Sequence, residues 1–178
     1  MTSKERKGQI WISAVLFISL GIVIISLILA AAIPMVNRIS DKNTVVRTKE
    51  ILLKVDDAIK TVVNEGPGSQ RQLDPLIIDR GELHITNNTY KIRWLMETEA
   101  DLMEPDIEIV EGNIKQRLNT TIVEEVYEIN LWVESDRINI SLNTPFTSPF
   151  KGEYIITVKH TGDFTATDDN PIIELKVT

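Results

Sequence analysis

The chain has 178 residues, enough for one ordinary domain and an appendage. It contains no cysteine, which excludes a disulfide framework and a thiolate metal site. Its formal net charge of −7 argues against nucleic-acid binding, because phosphate recognition needs a basic surface. The charge is also uneven. Residues 1–8 carry Lys4, Arg6 and Lys7 against Glu5, a net +2 that leaves −9 for the remainder. The pattern is a basic tip, an apolar rod and an acidic body.

From Gln9 to Ile33 there is no Asp, Glu, Lys or Arg. Coiled as a helix, about 24 such residues reach about 36 Å, enough to cross a hydrocarbon core of about 30 Å with some tilt. Ala30-Ala31-Ala32 could pass for a signal-peptide cleavage site. A secretory signal, however, has an apolar region of only roughly 7–15 residues. A core helix of a soluble protein is rarely apolar all round for this length. The expectation is a single-pass transmembrane helix over 9–34. Three Lys/Arg residues precede it and Arg38, Lys42, Arg47 and Lys49 follow, so the positive-inside count leaves its orientation open. Ser19, Ser26 and Ala30 share one face of the span, and small residues there let helices approach closely in lipid.

Pro34 would normally end or kink a helix, yet the helical period resumes beyond it. Val45, Leu52, Val55, Ile59 and Val62 fall on one face, with Lys49, Glu50, Lys54, Asp57 and Lys60 mostly elsewhere. This predicts an amphipathic helical extension over 35–65, stopped by Gly66-Pro67-Gly68. If the two parts join through a mild kink, residues 10–64 form one helix of about 80 Å. Its upper half then has an apolar face that needs cover.

From Leu73 onward the period changes to short alternating runs between turn residues. Residues 82–86 and 90–94 flank Asn87-Asn88, a hairpin signal. Further strands are expected at 106–110, 113–118, 121–134, 137–142, 153–160 and 171–177. The fold class is therefore α+β: a long N-terminal helix followed, over 66–178, by an antiparallel β-sheet or sandwich head with one face on the helix.

Motifs that carry chemistry are few. Asn87, Asn119 and Asn139 meet the N-glycosylation rule, all in the head, with Asn87 and Asn119 expected at turns. Asp163, Asp168 and Asp169 could offer oxygen ligands to calcium, but their spacing matches no calcium loop and a solvated acidic turn is the reading. His84 and His160, the only histidines, sit in strand-like runs with no matching Ser or Asp signature. Glu124 and Glu125 are neighbours, so on a strand they would point to opposite faces. There is no G-x-S-x-G, P-loop or G-x-G-x-x-G. Neither an enzyme nor a bound metal or cofactor is expected.

Lys7-Gly8-Gln9 with the apolar span directly after it resembles the class III signal peptide of archaeal type IV pilin-like proteins, including archaellin relatives. The Gly-Pro-Gly-Ser-Gln-Arg stretch at 66–71 looks like one in archaeal membrane proteins of this plan. The resemblance covers about the first 70 residues. It implies cleavage by a prepilin-type peptidase after Gly8, with Lys7 and Gly8 recognised and Gln9 as the new terminus. It also implies an N-terminus in the cytoplasm, an extracellular β domain, and self-association through the helix into a surface filament. One position departs from the pattern. Many pilins carry a Glu at the fifth mature position, thought to pair with a neighbour's new amino terminus, and this chain has Ser13. The alternative is an uncleaved single-span anchor whose extracellular head binds a partner. Either way the first contact is membrane lipid.

Overall fold

The structure is a computed structural model that describes residues 3–123 and 126–178, with the backbone alone for residues 3–10. It is an α+β fold, as the change of period predicts. Helix α1 spans Ser3–Glu65 and its assignment runs through Pro34, so the proline removes one backbone bond without ending the helix. The chain divides into two compact units, one reaching to Ser40 and the other covering Asp41–Thr178.

In the first unit, α1 has no cover of its own. From Trp11 to Ser40 no side chain is buried. In the second unit, α1 is amphipathic and its inner face is closed. Val45, Leu52, Val55, Ile59 and Val62 are all buried, as the heptad-like spacing predicts. The helix stops where the sequence says it should. Gly66 takes the left-handed conformation, with φ 87°, and donates its N–H to the Val62 carbonyl at 3.2 Å. Ser69 then donates its hydroxyl to the same carbonyl at 2.8 Å, which closes the exit from the helix.

Ten strands follow: β1 (Gln70–Gln72), β2 (Leu76–Ile85), β3 (Tyr90–Thr98), β4 (Glu108–Glu111), β5 (Ile114–Thr120), β6 (Tyr127–Ser135), β7 (Asn139–Asn143), β8 (Phe150–Tyr154), β9 (Ile156–Phe164) and β10 (Pro171–Val177). They form a six-stranded sheet in the order β4-β5-β6-β3-β2-β8 and a four-stranded sheet in the order β1-β9-β10-β7. The β2–β3 hairpin turns through Asn87-Asn88 as expected, with Asn88 in the left-handed region at φ 63°. Alternation along β3 buries Tyr90, Ile92, Trp94, Met96 and Thr98 on one face.

Several details depart from the alternating pattern. β10 pairs with β7 in parallel, so the smaller sheet is mixed rather than purely antiparallel. The run at 153–160 divides at Ile155: β8 joins the larger sheet and β9 the smaller one. β6 begins at Tyr127 rather than at 121, and the Glu124-Glu125 pair lies outside the described residues. β2 begins six residues before the predicted strand and bends at Gly81, where its register with β8 shifts. A Cβ at Gly81 would fall 2.6 Å from the Trp94 ring, and its φ of 81° suits only glycine well. The indole fills that space and donates its N–H to the Arg80 carbonyl at 3.0 Å.

Candidate functional site

The apolar surface of α1 is the first candidate. Among the described residues, α1 from Trp11 is long and apolar enough to cross a membrane, with mean hydropathy 2.9 over its 18-residue apolar window. Ile18, Ile22, Ile25, Leu29 and their neighbours stand exposed on every side. Ser19 and Ser26 turn their hydroxyls back to their own helix, donating to Val15 O at 2.7 Å and Ile22 O at 2.8 Å. Each hydroxyl is thereby satisfied without a neighbouring helix. Ala30 shares their face, which is set apart by the small size of its side chains. Lys7, Gly8 and Gln9 lie outside the residues whose side chains are described.

The upper half of α1 is tied to the head by two buried carboxylates. Asp56 is 2% exposed and sits among three donors. Lys60 reaches it at 2.7 Å, Asn113 at 2.9 Å, and the Tyr90 hydroxyl donates to its other oxygen. Burial first, and the hydrogen bond to Asp56 second, hold the Tyr90 proton well above the ordinary phenol value. That hydroxyl stays a donor. Asp41 is 4% exposed and accepts from the Thr98 hydroxyl at 2.5 Å and from the Arg80 guanidinium. Thr98 in turn accepts the Ala100 N–H at 3.0 Å.

These contacts set the path of the helix over the sheet. Asp41 meets the last residue of β3 and Asp56 meets the first, so α1 runs antiparallel to β3 over its whole length. Sequence reasoning passed over both aspartates. The signal was present: Asp56 stands four residues after Leu52 and three before Ile59, and Asp41 four before Val45. A carboxylate on an apolar face is a request for buried donors.

The three sequons come apart in the structure. Asn87 is exposed in the β2–β3 turn, and its Oδ1 accepts the Leu142 N–H at 2.9 Å. Asn119 is not at a turn, contrary to expectation. It lies within β5 opposite Glu128, half-buried, with its amide 3.4 Å from that carboxylate. The alternation of β5 extends two residues further than its apolar residues do, which is why a strand holds it. Asn139 opens β7 beside Ile172 of β10, with its Oδ1 buried and unpartnered.

His84 lies on β2 with Nε2 3.4 Å from Glu82. His160 is buried on β9, where Nδ1 accepts the Gly162 N–H at 3.1 Å. The two are on different sheets. Asp163 belongs to β9, while Asp168 and Asp169 occupy the following turn. Among the described residues no group of three His, Asp or Glu is placed to hold a metal ion. No family model, curated protein or solved structure matches the chain.

Proposed function

We propose that this chain is a membrane-anchored surface subunit of the type IV pilin-like kind. In this reading it enters the membrane with residues 1–8 in the cytoplasm. A prepilin-type peptidase recognises Lys7 and Gly8 and leaves Gln9 as the new terminus. The β-rich head stays outside the cell, and copies assemble through residues 9–34 into a filament or related complex. The supporting observation is the contrast in cover along α1. No side chain from Trp11 to Ser40 is buried, whereas the following turns are closed over by strands of the same chain. A helix surface this apolar is stable in lipid and, once drawn out of lipid, among copies of itself. Ser19, Ser26 and Ala30 are the face on which such copies would approach.

The test is the mass of the N-terminal peptide of the protein recovered from its native membrane. A terminus at Gln9 is the expected result. An intact Met1 or Thr2 terminus overturns the proposal and leaves a permanent anchor whose head binds a partner outside the cell.

A further inference from the structure

The outer faces of the two sheets treat their lysines differently. On the six-stranded sheet each lysine has a carboxylate: Lys91 and Lys115 both reach Glu134, at 3.0 and 2.8 Å, and Lys151 reaches Glu82 at 2.7 Å. Held by Lys115 first and Lys91 second, the Glu134 carboxyl is brought down to about 2. On the four-stranded sheet, Lys159 of β9 and Lys176 of β10 are exposed and have no carboxylate in ion-pair range among the described residues.

The register defines what surrounds them. Gln70, Lys159 and Glu174 lie side by side across β1, β9 and β10, and Gln72, Thr157 and Lys176 form the next row. Val158, Leu175 and Val177 point the other way into the core, so both rows share the outer face. Glu174 is the face's one acid and stands directly opposite Lys159. It nonetheless turns to β7, accepting the Asn143 amide at 2.7 Å. That leaves two ammonium groups on diagonal positions, about 7–8 Å apart at the backbone. Around them is a shallow open trough of about 520 Å³.

That volume is in the range of small-ligand sites, about 300–1,000 Å³, but such sites are mostly apolar. This one presents the amides of Gln70, Gln72 and Asn143, two threonine hydroxyls, two cations and the Glu174 carboxylate, with Ile155 its one apolar side chain and no aromatic ring. An apolar ligand gains nothing here. A polyol can exchange its water for the Gln70, Gln72 and Thr157 groups, and an acidic substituent on it can lie between Lys159 and Lys176. In a chain of net charge −7, an anion reaches this patch only if the local pair outweighs the general repulsion. The site therefore favours short-range, hydrogen-bonded contact over long-range attraction.

The geometry points to a carbohydrate-binding face: the trough over β1, β9 and β10 takes an acidic polysaccharide chain, bound through Lys159 and Lys176. The proposal is independent of how the membrane segment is processed.

The test uses the full-length protein in neutral detergent micelles, titrated calorimetrically with an oligogalacturonate at moderate salt. Saturable binding is expected. K159Q/K176Q lowers affinity at least tenfold, K159R/K176R retains it, and K151Q, on the other sheet, leaves it unchanged. Since both lysines are exposed, the circular dichroism of every variant should match the parent. A neutral maltooligosaccharide and inorganic sulfate separate the two parts of the recognition, and each alone should bind at least tenfold more weakly than the acidic chain. The proposal is overturned if no binding is seen at millimolar ligand, if K159Q/K176Q binds like the parent, or if K151Q loses as much as the double variant. It is equally overturned if sulfate alone binds as tightly, which would mark a simple anion patch, or if the neutral sugar does.

Discussion

Residues 11–40 and 41–65 belong to one helix, but they obtain their surroundings in different ways. In the first stretch every face is apolar and no side chain is buried. In the second, one face is apolar, and that face also carries Asp41 and Asp56, both buried and both supplied with a hydroxyl donor by β3. Polar atoms mark the difference better than hydropathy does. The uncovered stretch turns the Ser19 and Ser26 hydroxyls back onto its own carbonyls. A helix destined for a fixed protein partner can afford carboxylates, because the partner brings the matching groups.

The comparison can be pressed hardest at Asp56. Asp56→Ala strips the Tyr90 hydroxyl, Lys60 and Asn113 of their common acceptor, and should destabilise the head by about 3–5 kcal/mol. Urea titration of the full chain in detergent, followed by tryptophan fluorescence, measures this. A loss below about 1 kcal/mol would mean that water replaces the carboxylate and that Asp56 does little to hold the upper helix on the sheet. Next comes Ile59→Ala, which removes a fully buried side chain and should cost about 2–5 kcal/mol in the same titration. Its counterpart in the lower stretch, Ile22→Ala, should shift the head's midpoint by less than about 0.5 kcal/mol. Equal losses at the two positions would erase the distinction.

A smaller effect comes from the rim. Lys49 of α1 meets Glu111 of β4 at 2.7 Å, and this hydrogen bond is the main cause that holds the Glu111 carboxyl below its ordinary value. A depressed carboxyl contributes stability above its unfolded value, about 4.3, and that contribution is lost as pH falls through the lower folded value. Glu111 is more than half exposed, so the K49Q difference across that window should be slight and should shrink with added salt. The smallest expected change in head stability is that of Ser26→Leu, close to zero. The same substitution should sharply reduce cross-linking between copies in the native membrane. Unchanged cross-linking would remove the small-residue face from the account of assembly.

Much of this helix was legible in the sequence, because a period of 3.6 is a local property. Val45 to Val62 fixed the inner face, and Gly66 fixed the end. The β2–β3 hairpin was equally readable from Asn87-Asn88 between alternating runs. What escaped was non-local or masked by composition. β1 is Gln-Arg-Gln and contains no apolar residue to announce it; it exists because β9 offers it an edge. The start of β2 was hidden by Pro75 before it and the bend at Gly81 within it. Nothing near Ile155 says that the chain changes sheets there. The unpaired state of Lys159 and Lys176 was also out of reach, since it depends on Glu174 choosing Asn143 from a distant strand.

The position of β10 bears on the order in which the head is made. It lies inside the four-stranded sheet, with β9 on one side and β7 on the other, yet it follows every other strand in the chain. While residues 171–177 are still being synthesised, β7 and the inner edge of β9 have no neighbour, and Ile140 and Val158 have no cover from Ile173 and Leu175. Those are open strand edges of the kind that pair with the wrong chain. The parallel β10–β7 ladder spans nearly thirty intervening residues, so it forms through slow, non-local closure. Those edges stay open until β10 is inserted between them like a keystone.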